Sequence, residues 1–407
     1  MIRFLTAGES HGKALTTIVE GFPSNLKINI DDINLQLKRR QLGYGRGLRM
    51  KIESDTADIL SGIRFGKTLG SPISMLIRNK DWENWANKMR VERKTTEIEK
   101  ITIPRPGHAD LVGISKYNFD DIRNSIERSS ARETAARVAA ASIARIFLAQ
   151  FGISIGSFVE SIGGIYPENN FADKLFSNSL PKNFEARSLS VRADKSNVRV
   201  LDAKHETKII EKIKIAKKKG DTLGGTFYII ATGVPVGLGT FVHYDKKLDA
   251  EIAQSIISIN AVKAVSIGTG FESAEKFGSE SHDEIIFKNG ILTRKTNRSG
   301  GIEGGISTGL PIIVRGAMKP ISTLMSPIES VDLKTMKKVD ARRERSDFVA
   351  VPACAVIGEA MLAWTLAEFF IMKFGGDSVE ETKDNFNNYS KKLYSRIKKN
   401  FIKYISP

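Results

Sequence analysis

Residues 130–148 read SARETAARVAAASIARIFL, and the fold prediction starts from this run. Ser130 and Glu133 have the Ser-x-x-Glu spacing of a capping box, in which two side chains satisfy backbone N–H groups at a helix start. The run therefore predicts a helix that begins at Ser130 and ends before Gly152.

Other helices and strands are predicted on both sides of this run. Asp31 or Asp32 is expected to cap a helix that runs to about Arg40, and three more are expected after Leu248, over 355–372 and in the C-terminal tract. Strand-like runs occupy 2–5, 16–19, 73–77, 226–232, 264–267 and 312–315. They do not alternate regularly with helices, which favours an α+β fold with antiparallel sheets over a doubly wound parallel fold. No Gly-x-Gly-x-x-Gly follows a strand, so we do not expect a Rossmann domain.

Composition narrows the class of protein. The chain has 407 residues, a formal net charge of +16 and a single cysteine, Cys354, which excludes an internal disulfide and a cysteine-based metal cluster. No His-x-x-x-His spacing indicates zinc, so no metal is expected. No apolar run approaches the ~18 residues of a membrane span, and the N-terminus is unlike a signal peptide. We therefore expect a cytoplasmic protein that does not insert into a membrane.

Much of the positive charge lies in two lysine tracts, 204–219 and 383–403. Both have helix-like spacing, so a solvated helix face is the ordinary interpretation. The alternative is a nucleic-acid-binding protein, which would need its basic residues on one exposed face. We expect no nucleic-acid partner, because the arginines instead lie in several separate loops.

No clean linker divides the chain, so 1–407 is predicted to be one domain. The polar stretch near 167–196 is expected to be an irregular insertion, and a basic helix is expected near 380–405.

Six short motifs indicate a site for a polyanion. Five place arginine or lysine beside glycine, serine or histidine: 38–46, 104–108, 128–132, 319–323 and 345–347. The sixth is Gly8-Glu9-Ser10-His11-Gly12. Guanidinium groups on a glycine-rich backbone can close around several negative charges at once. Taken singly, these motifs have other interpretations, such as a plain cap at Ser130 or an RNA contact at 43–49. A separate glycine-rich segment, 300–305, permits close approach of the backbone to a ligand or is simply a tight turn.

Among five histidines, His11 and His108 stand out, because each follows a small residue in a loop with charged neighbours. An imidazole in such a loop can exchange protons near neutral pH. Both are candidate proton-transfer residues.

Several motifs together resemble the signature segments of the chorismate synthase family. They are 8–12 continuing through 19–23, 128–134, and 345–347 with 358–361, and 104–110 and 319–323 are similar too. The resemblance extends from Ile2 to about Glu380. Phe348 and Cys354 depart from the expected pattern, and we interpret both as changes of packing.

The resemblance implies a single-domain α+β sandwich, with helices packed between antiparallel β-sheets, assembled as a homotetramer. It also implies a 1,4-elimination that converts 5-enolpyruvylshikimate 3-phosphate to chorismate and phosphate, the last common step of aromatic amino acid biosynthesis by the shikimate pathway. Reduced FMN would be required although the reaction is redox-neutral. A reduced flavin can supply electron density as the allylic C–O bond breaks.

The resemblance also assigns roles to residues. His11 would protonate the departing phosphate, His108 would favour the reduced anionic flavin, and Asp347 would help take the proton passed through flavin N5. The small anionic substrate would be bound by Ser10, Arg40, Arg46, Arg49, Arg105, Ser130, Arg132 and Arg345. FMN would contact Arg128, Ser129, Ser130, Asn260, Ala261, Gly304, Lys319, Pro320, Ile321, Ser322, Thr323 and Arg345.

One alternative within the flavin enzymes remains open at this point. An NAD(P)H-dependent flavin reductase could use the same cationic pocket, with NADP contacts assigned to Arg40 and Arg46. Some members of the family reduce their own FMN and others depend on external reduced flavin. No residue pattern in the sequence separates these two cases, so NADPH stays a candidate reductant.

Overall fold

The computed structural model describes residues 2–46, 54–93, 97–181, 183–288, 291–344 and 347–401. The strands are β1 (Arg3–Ala7), β2 (Ala14–Glu20), β3 (Ala57–Ile59), β4 (Ile63–Arg64), β5 (Lys67–Thr68), β6 (Ile73–Arg78), β7 (Ser154–Ile162), β8 (Gly225–Thr232), β9 (Val262–Ile267), β10 (Ile285–Lys288), β11 (Ile291–Arg294), β12 (Ile302–Glu303), β13 (Ile306–Ser307), β14 (Ile312–Met318), β15 (Glu329–Asp332) and β16 (Lys337–Asp340). The helices are α1 (Ile30–Gln41), α2 (Trp82–Trp85), α3 (Asp110–Tyr117), α4 (Arg123–Ser129), α5 (Thr134–Ala149), α6 (Ala172–Phe176), α7 (Arg187–Ala193), α8 (Ala203–Lys219), α9 (Leu248–Ile257), α10 (Gly278–Ser281), α11 (Val351–Phe374) and α12 (Val379–Phe401).

Two four-stranded antiparallel sheets form the outer layers of the core. Their strand orders are β1-β2-β6-β3 and β7-β8-β14-β9. Helices α1, α5 and α11 pack on one another between them, with α5 against β2 and α11 against β7 and β8. One continuous cluster of buried apolar side chains includes residues from both sheets and all three helices. The predicted α+β sandwich of helices between antiparallel sheets is confirmed.

Helix α5, which was predicted from residues 130–148, lies at the centre of this core. Ala135, Ala136 and Ala139 of α5 are completely buried, because their small side chains let neighbouring helices approach closely. Its start differs from the predicted capping box. Ser130 Oγ accepts from the backbone N of Arg132, at the head of a 3₁₀ turn that precedes α5. Glu133 pairs with Arg137 one turn along instead of closing a box.

The cap of α1 also corrects the prediction. Asn29, rather than Asp31 or Asp32, is the capping residue, and its side chain accepts from the backbone N of Asp31 at 3.0 Å. Asn29 has the extended backbone of a capping residue, whereas both aspartates lie inside the first turn.

Strand β7 was missed because eight of its nine residues are buried, so it lacks the alternation of a half-exposed strand. Helices α6 and α7 cover the outer face of its sheet, where Leu175 and Leu189 pack in a second cluster with Phe158 and Tyr228. The stretch near 167–196 is therefore an ordered cover rather than an irregular insertion. A few buried apolar residues are enough for this role, and the polar majority faces away from the sheet.

Two C-terminal helices complete the core. The 24-residue helix α11 is long and apolar enough to cross a membrane, which corrects the expectation that no such run exists. However, 89% of its most apolar window is buried inside the protein, as in the core helix of a globular fold. Helix α12 matches the basic helix expected near 380–405 as far as Phe401.

Candidate active site

His11 lies in the loop between β1 and β2, against Glu127 of α4. Its Nδ1 is 2.9 Å and 3.0 Å from the two carboxylate oxygens of Glu127, and its backbone N donates to Glu127 Oε2 at 2.8 Å. Burial by itself would raise the pKa of Glu127, but the hydrogen bonds and charge of His11 outweigh it, and the pKa is lowered. An ionised carboxylate therefore holds this imidazole.

The other side of His11 is covered by an aromatic ring. Trp85 of α2 stacks on the imidazole with ring centroids 3.8 Å apart. The Arg123 guanidinium lies 4.9 Å from the centroid of the same indole. Beside this stack, Ser130 Oγ donates to Ser10 Oγ at 3.2 Å, which joins two predicted substrate residues.

Asp55 links two of the predicted substrate arginines. Arg40 Nη2 donates to Asp55 Oδ2 at 2.6 Å, and Arg132 Nη1 donates to Asp55 Oδ1. Burial would raise the pKa of Asp55, but both arginines outweigh it and the pKa is lowered. Arg132 also donates to Asn79 Oδ1, and Asn79 Nδ2 in turn donates to the carbonyl of Gly12 beside His11. This network connects the arginines to the histidine loop.

A third predicted arginine lies close to this pair. Arg46 Nη1 is 3.0 Å from Asp347 Oδ2, so a predicted substrate residue and a predicted proton acceptor form an ion pair. The pKa of Arg40 is lowered, first by burial and then in part by the positive charges of Arg132 and Arg46, although Asp55 opposes this. Three guanidinium groups thus converge. Arg49 and Arg345 lie outside the described residues.

His108 is held by a second buried carboxylate, that of Asp110. His108 Nδ1 is 2.6 Å from Asp110 Oδ1, and Arg105 donates to Asp110 from its backbone N, Nε and Nη2 at 2.9–3.0 Å. Arg105 also donates to Thr323 Oγ1 and Glu344 Oε2. Burial would raise the pKa of Asp110, but hydrogen bonds from His108 and Arg105 lower it strongly. Arg105 is therefore well supplied with acceptors from the protein itself.

Hydrogen bonds bring most of the predicted cofactor residues together. Asn260 Nδ2 donates to the carbonyl of Ser129, and the backbone N of Lys319 donates to the carbonyl of Ala261. Lys319 Nζ and Ser322 Oγ both donate to the carbonyl of Gly107, next to His108. In the same loop, Pro320 precedes Ile321, whose carbonyl accepts from Thr222.

Two cations at this cluster suit an anionic group such as the phosphate of FMN. Lys319 donates to neutral oxygens, and Arg128 donates to the carbonyls of Thr6 and Gly8 and to the Thr6 hydroxyl. Within the described residues, no carboxylate pairs with either of them. Burial, with the charge of Lys263, lowers the pKa of Lys319. The residues present therefore fit the cofactor that the sequence implies.

Gly304 lies apart from this cluster. It is in the turn between β12 and β13, and the neighbouring carbonyl of Gly305 accepts from the backbone N of Leu248, at the start of α9. Asn260 follows the other end of that ten-residue helix, about 15 Å away. Within a single chain, Gly304 therefore does not lie with the other predicted FMN contacts.

Sequence reasoning missed the acidic and aromatic parts of the site. Asp55, Asn79, Trp85, Asp110 and Glu127 had no assigned role. Glu127 directly precedes the 128–132 motif, and Asp110 ends the 104–110 motif. Their positions next to predicted site residues could have marked both as candidates. Asp55, Asn79 and Trp85 lie outside every motif.

Comparisons with known proteins agree on one family. The sequence model described as chorismate synthase matches residues 2–371. A chorismate synthase of Chlorobaculum tepidum is 54% identical over 404 residues, which cover 98% of this chain and 100% of the relative. One from Aquifex aeolicus is 52% identical, covering 95% of this chain and 97% of its own. A crystal structure of chorismate synthase superposes with a TM-score of 0.77 at 42% identity, over 97% of this chain and 98% of that one. The chain therefore belongs to the chorismate synthase family, and it is a lyase.

Proposed function

We propose that this enzyme converts 5-enolpyruvylshikimate 3-phosphate to chorismate and phosphate by a 1,4-elimination that requires bound reduced FMN. The observation that carries the proposal is a histidine held by a carboxylate, His11, whose loop is hydrogen-bonded through Asn79 to the arginine pair at Asp55. A second histidine borders the residues suited to a flavin phosphate. Family membership supports the same reaction.

The three arginines suit a substrate with one phosphate and two carboxylates. Among the described residues, Arg40 and Arg132 share the carboxylate of Asp55, and Arg46 pairs with Asp347. A polyanion that binds here replaces water and adds further charge-assisted hydrogen bonds. Substrate binding is therefore expected to weaken as ionic strength rises.

His11 is the proposed proton donor to the departing phosphate. Glu127 holds Nδ1, so Nε2 is the nitrogen through which His11 would give its proton to the phosphate. Protonation of a leaving group by a positioned imidazole contributes about 10²- to 10⁴-fold to rate. Ser10 and Ser130 lie beside it as hydroxyl donors.

The proposed FMN site comprises Arg128, Ser129, Asn260, Ala261 and the loop of Lys319 to Thr323. When bound, reduced flavin supplies electron density to the breaking allylic C–O bond. The chain itself supplies two cations without carboxylate partners among the described residues, Lys319 and Arg128, for the phosphate. His108 borders this site through Gly107 and is the proposed stabiliser of an anionic ring system. Asp347 is the proposed final acceptor of the ring proton.

An anaerobic assay tests the proposal. Purified protein is mixed with 5-enolpyruvylshikimate 3-phosphate and chemically reduced FMN, and chorismate and phosphate are measured together. We expect equal amounts of both, with reduced flavin only. Oxidised FMN with NADPH then tests whether the enzyme reduces its own cofactor. Folded protein that binds FMN but forms neither product under oxygen-free conditions would contradict the proposal and favour a flavin reductase.

We also propose that the enzyme works as a homotetramer in the cytoplasm. Phe241, Val242 and Tyr244 are large apolar or aromatic residues of one loop that are 71–79% exposed in the single chain, as expected of a surface that another subunit covers. Light scattering of the purified protein tests the tetramer. A monomer at micromolar concentration would contradict it.

A further inference from the structure

We infer that Glu127 is a positioning residue for His11, which fixes the tautomer and orientation of the imidazole so that Nε2 delivers the proton. The inference rests on the proposed function in one respect, namely that His11 protonates the leaving phosphate. Glu127 itself is expected to touch neither substrate nor flavin, and acts through the histidine.

Glu127 holds the histidine loop at three points. Its carboxylate accepts from the backbone N of His11 and binds the ring Nδ1, and its backbone carbonyl accepts from the backbone N of Ser10 at 3.0 Å. The Glu127 side chain is 2% exposed and that of His11 is 17% exposed. A buried residue that grips both the backbone and the ring leaves the imidazole little freedom to turn.

These contacts decide which nitrogen carries the proton in the neutral ring. An ionised carboxylate is only an acceptor, so Nδ1 must donate to Glu127. The lowered pKa of Glu127, in which the His11 hydrogen bonds outweigh burial, keeps the carboxylate ionised at neutral pH. The neutral ring is therefore the Nδ1–H tautomer, in which Nε2 carries no proton. Protonation of Nε2 then produces the proton donor.

Other charges near the ring do not replace this role. Arg123 of α4 is 3.4 Å from Glu127 Oε1 and lies over Trp85, and Lys88 lies 5.4 Å from the centroid of the same indole. Glu9 and Lys13 belong to the histidine's own loop. Three of these four groups are cationic, so they cannot accept a hydrogen bond from Nδ1. Glu127 supplies a carboxylate that contacts Nδ1 directly.

Nitrogen-15 NMR of histidine-labelled protein tests the inference directly. The chain has five histidines, so the spectrum holds five imidazoles, and an H11A variant identifies the signals of His11. We expect the Nδ1–H tautomer for neutral His11 in the parent enzyme. Observation of the Nε2–H tautomer would overturn the inference without any variant being made.

The E127Q variant separates charge from shape. Glutamine keeps the size of the side chain but has an amide N–H as well as a carbonyl oxygen, so it no longer forces Nδ1 to donate, and we expect both neutral tautomers of His11 to be populated. We expect kcat to be lowered roughly 10- to 100-fold, with KM little changed. E127D, which keeps the charge, should recover part of the lost kcat.

E133Q is the matched control, since Glu133 is also a buried glutamate paired with an arginine four positions away in the sequence, but it contacts no histidine within the described residues. It should leave the tautomer of His11 and kcat unchanged. If folded E127Q behaves as E133Q does, the inference is wrong. A parent enzyme could show the Nδ1–H tautomer and yet form no chorismate. That result would contradict the proposed function but would support the positioning of His11 by Glu127.

Discussion

Two histidine–carboxylate pairs border the site, and they differ in what else each carboxylate binds. His11 Nδ1 meets Glu127, and His108 Nδ1 meets Asp110, both at hydrogen-bond distance and both with a buried acid. Glu127 accepts from His11 twice, through ring and backbone, and its contact with an arginine is long, at 3.4 Å. Asp110 accepts three hydrogen bonds from Arg105 and one from His108.

The difference teaches that similar contacts can serve different purposes. Glu127 is chiefly a partner of an imidazole, so its replacement should change proton transfer. Asp110 is chiefly a partner of a buried guanidinium, so its replacement should change the stability of the fold. The chain also offers an exposed version, His243 with Asp245 at 2.7 Å, which has the His-x-Asp spacing of His108 and Asp110. It provides matched control variants.

The largest expected effect is that of H11A on turnover. Loss of a positioned general acid should lower kcat by about 10²- to 10⁴-fold. Affinity for FMN should change little, because His11 is proposed to act on the leaving phosphate and is not among the proposed FMN contacts. Single-turnover kinetics and flavin titration measure the two quantities. A variant that loses both equally would show that the first pair has no separate role in proton transfer.

The next effect is that of D110N on stability. Arg105 would be left with a weaker set of acceptors in a buried position, and breaking a buried ion pair costs about 3–5 kcal/mol. We expect the free energy of unfolding to fall by about 3 kcal/mol, measured by urea denaturation. D245N should change it by less than about 0.5 kcal/mol, since exposed pairs contribute little. Equal losses in both variants would remove the contrast between the buried and the exposed pair.

A smaller effect on turnover is expected for H108A. We expect kcat to fall about tenfold or more, with a smaller change in the dissociation constant of FMN. H243A, from the exposed pair, should match the parent in both measurements. Equal loss of turnover and flavin affinity in H108A would indicate a binding role for His108 instead.

The smallest effect is on the pH dependence of unfolding. The pKa of Asp110 is lowered in the folded protein, because hydrogen bonds from His108 and Arg105 outweigh burial. Its stabilising contribution is therefore complete above the unfolded pKa of about 4 and is lost as pH falls towards the folded value. D110N should lose less stability than the parent as pH falls below about 4. Parallel curves for the two proteins, from denaturation at several pH values, would contradict this.

Much of the fold followed from local patterns. The six strand-like runs all lie in the two main sheets, and the expected helices exist, because apolar spacing, capping and turn residues act over short distances. Strand β7 and the helices α6 and α7 were not predicted. Their apolar residues are buried through contacts within and against one sheet, and the local sequence does not show those contacts.

The sequence by itself determined the family and the candidate proton donors and cations, since these lie in unbroken motifs such as 8–12 and 128–132. Only the tertiary structure decided their partners. Adjacent Arg39 and Arg40 show the reason. Arg39 binds Glu359, a buried residue of α11 in the core, while Arg40 binds Asp55 in the site. Neighbours on a helix point about 100° apart, so what each one meets depends on how distant segments pack.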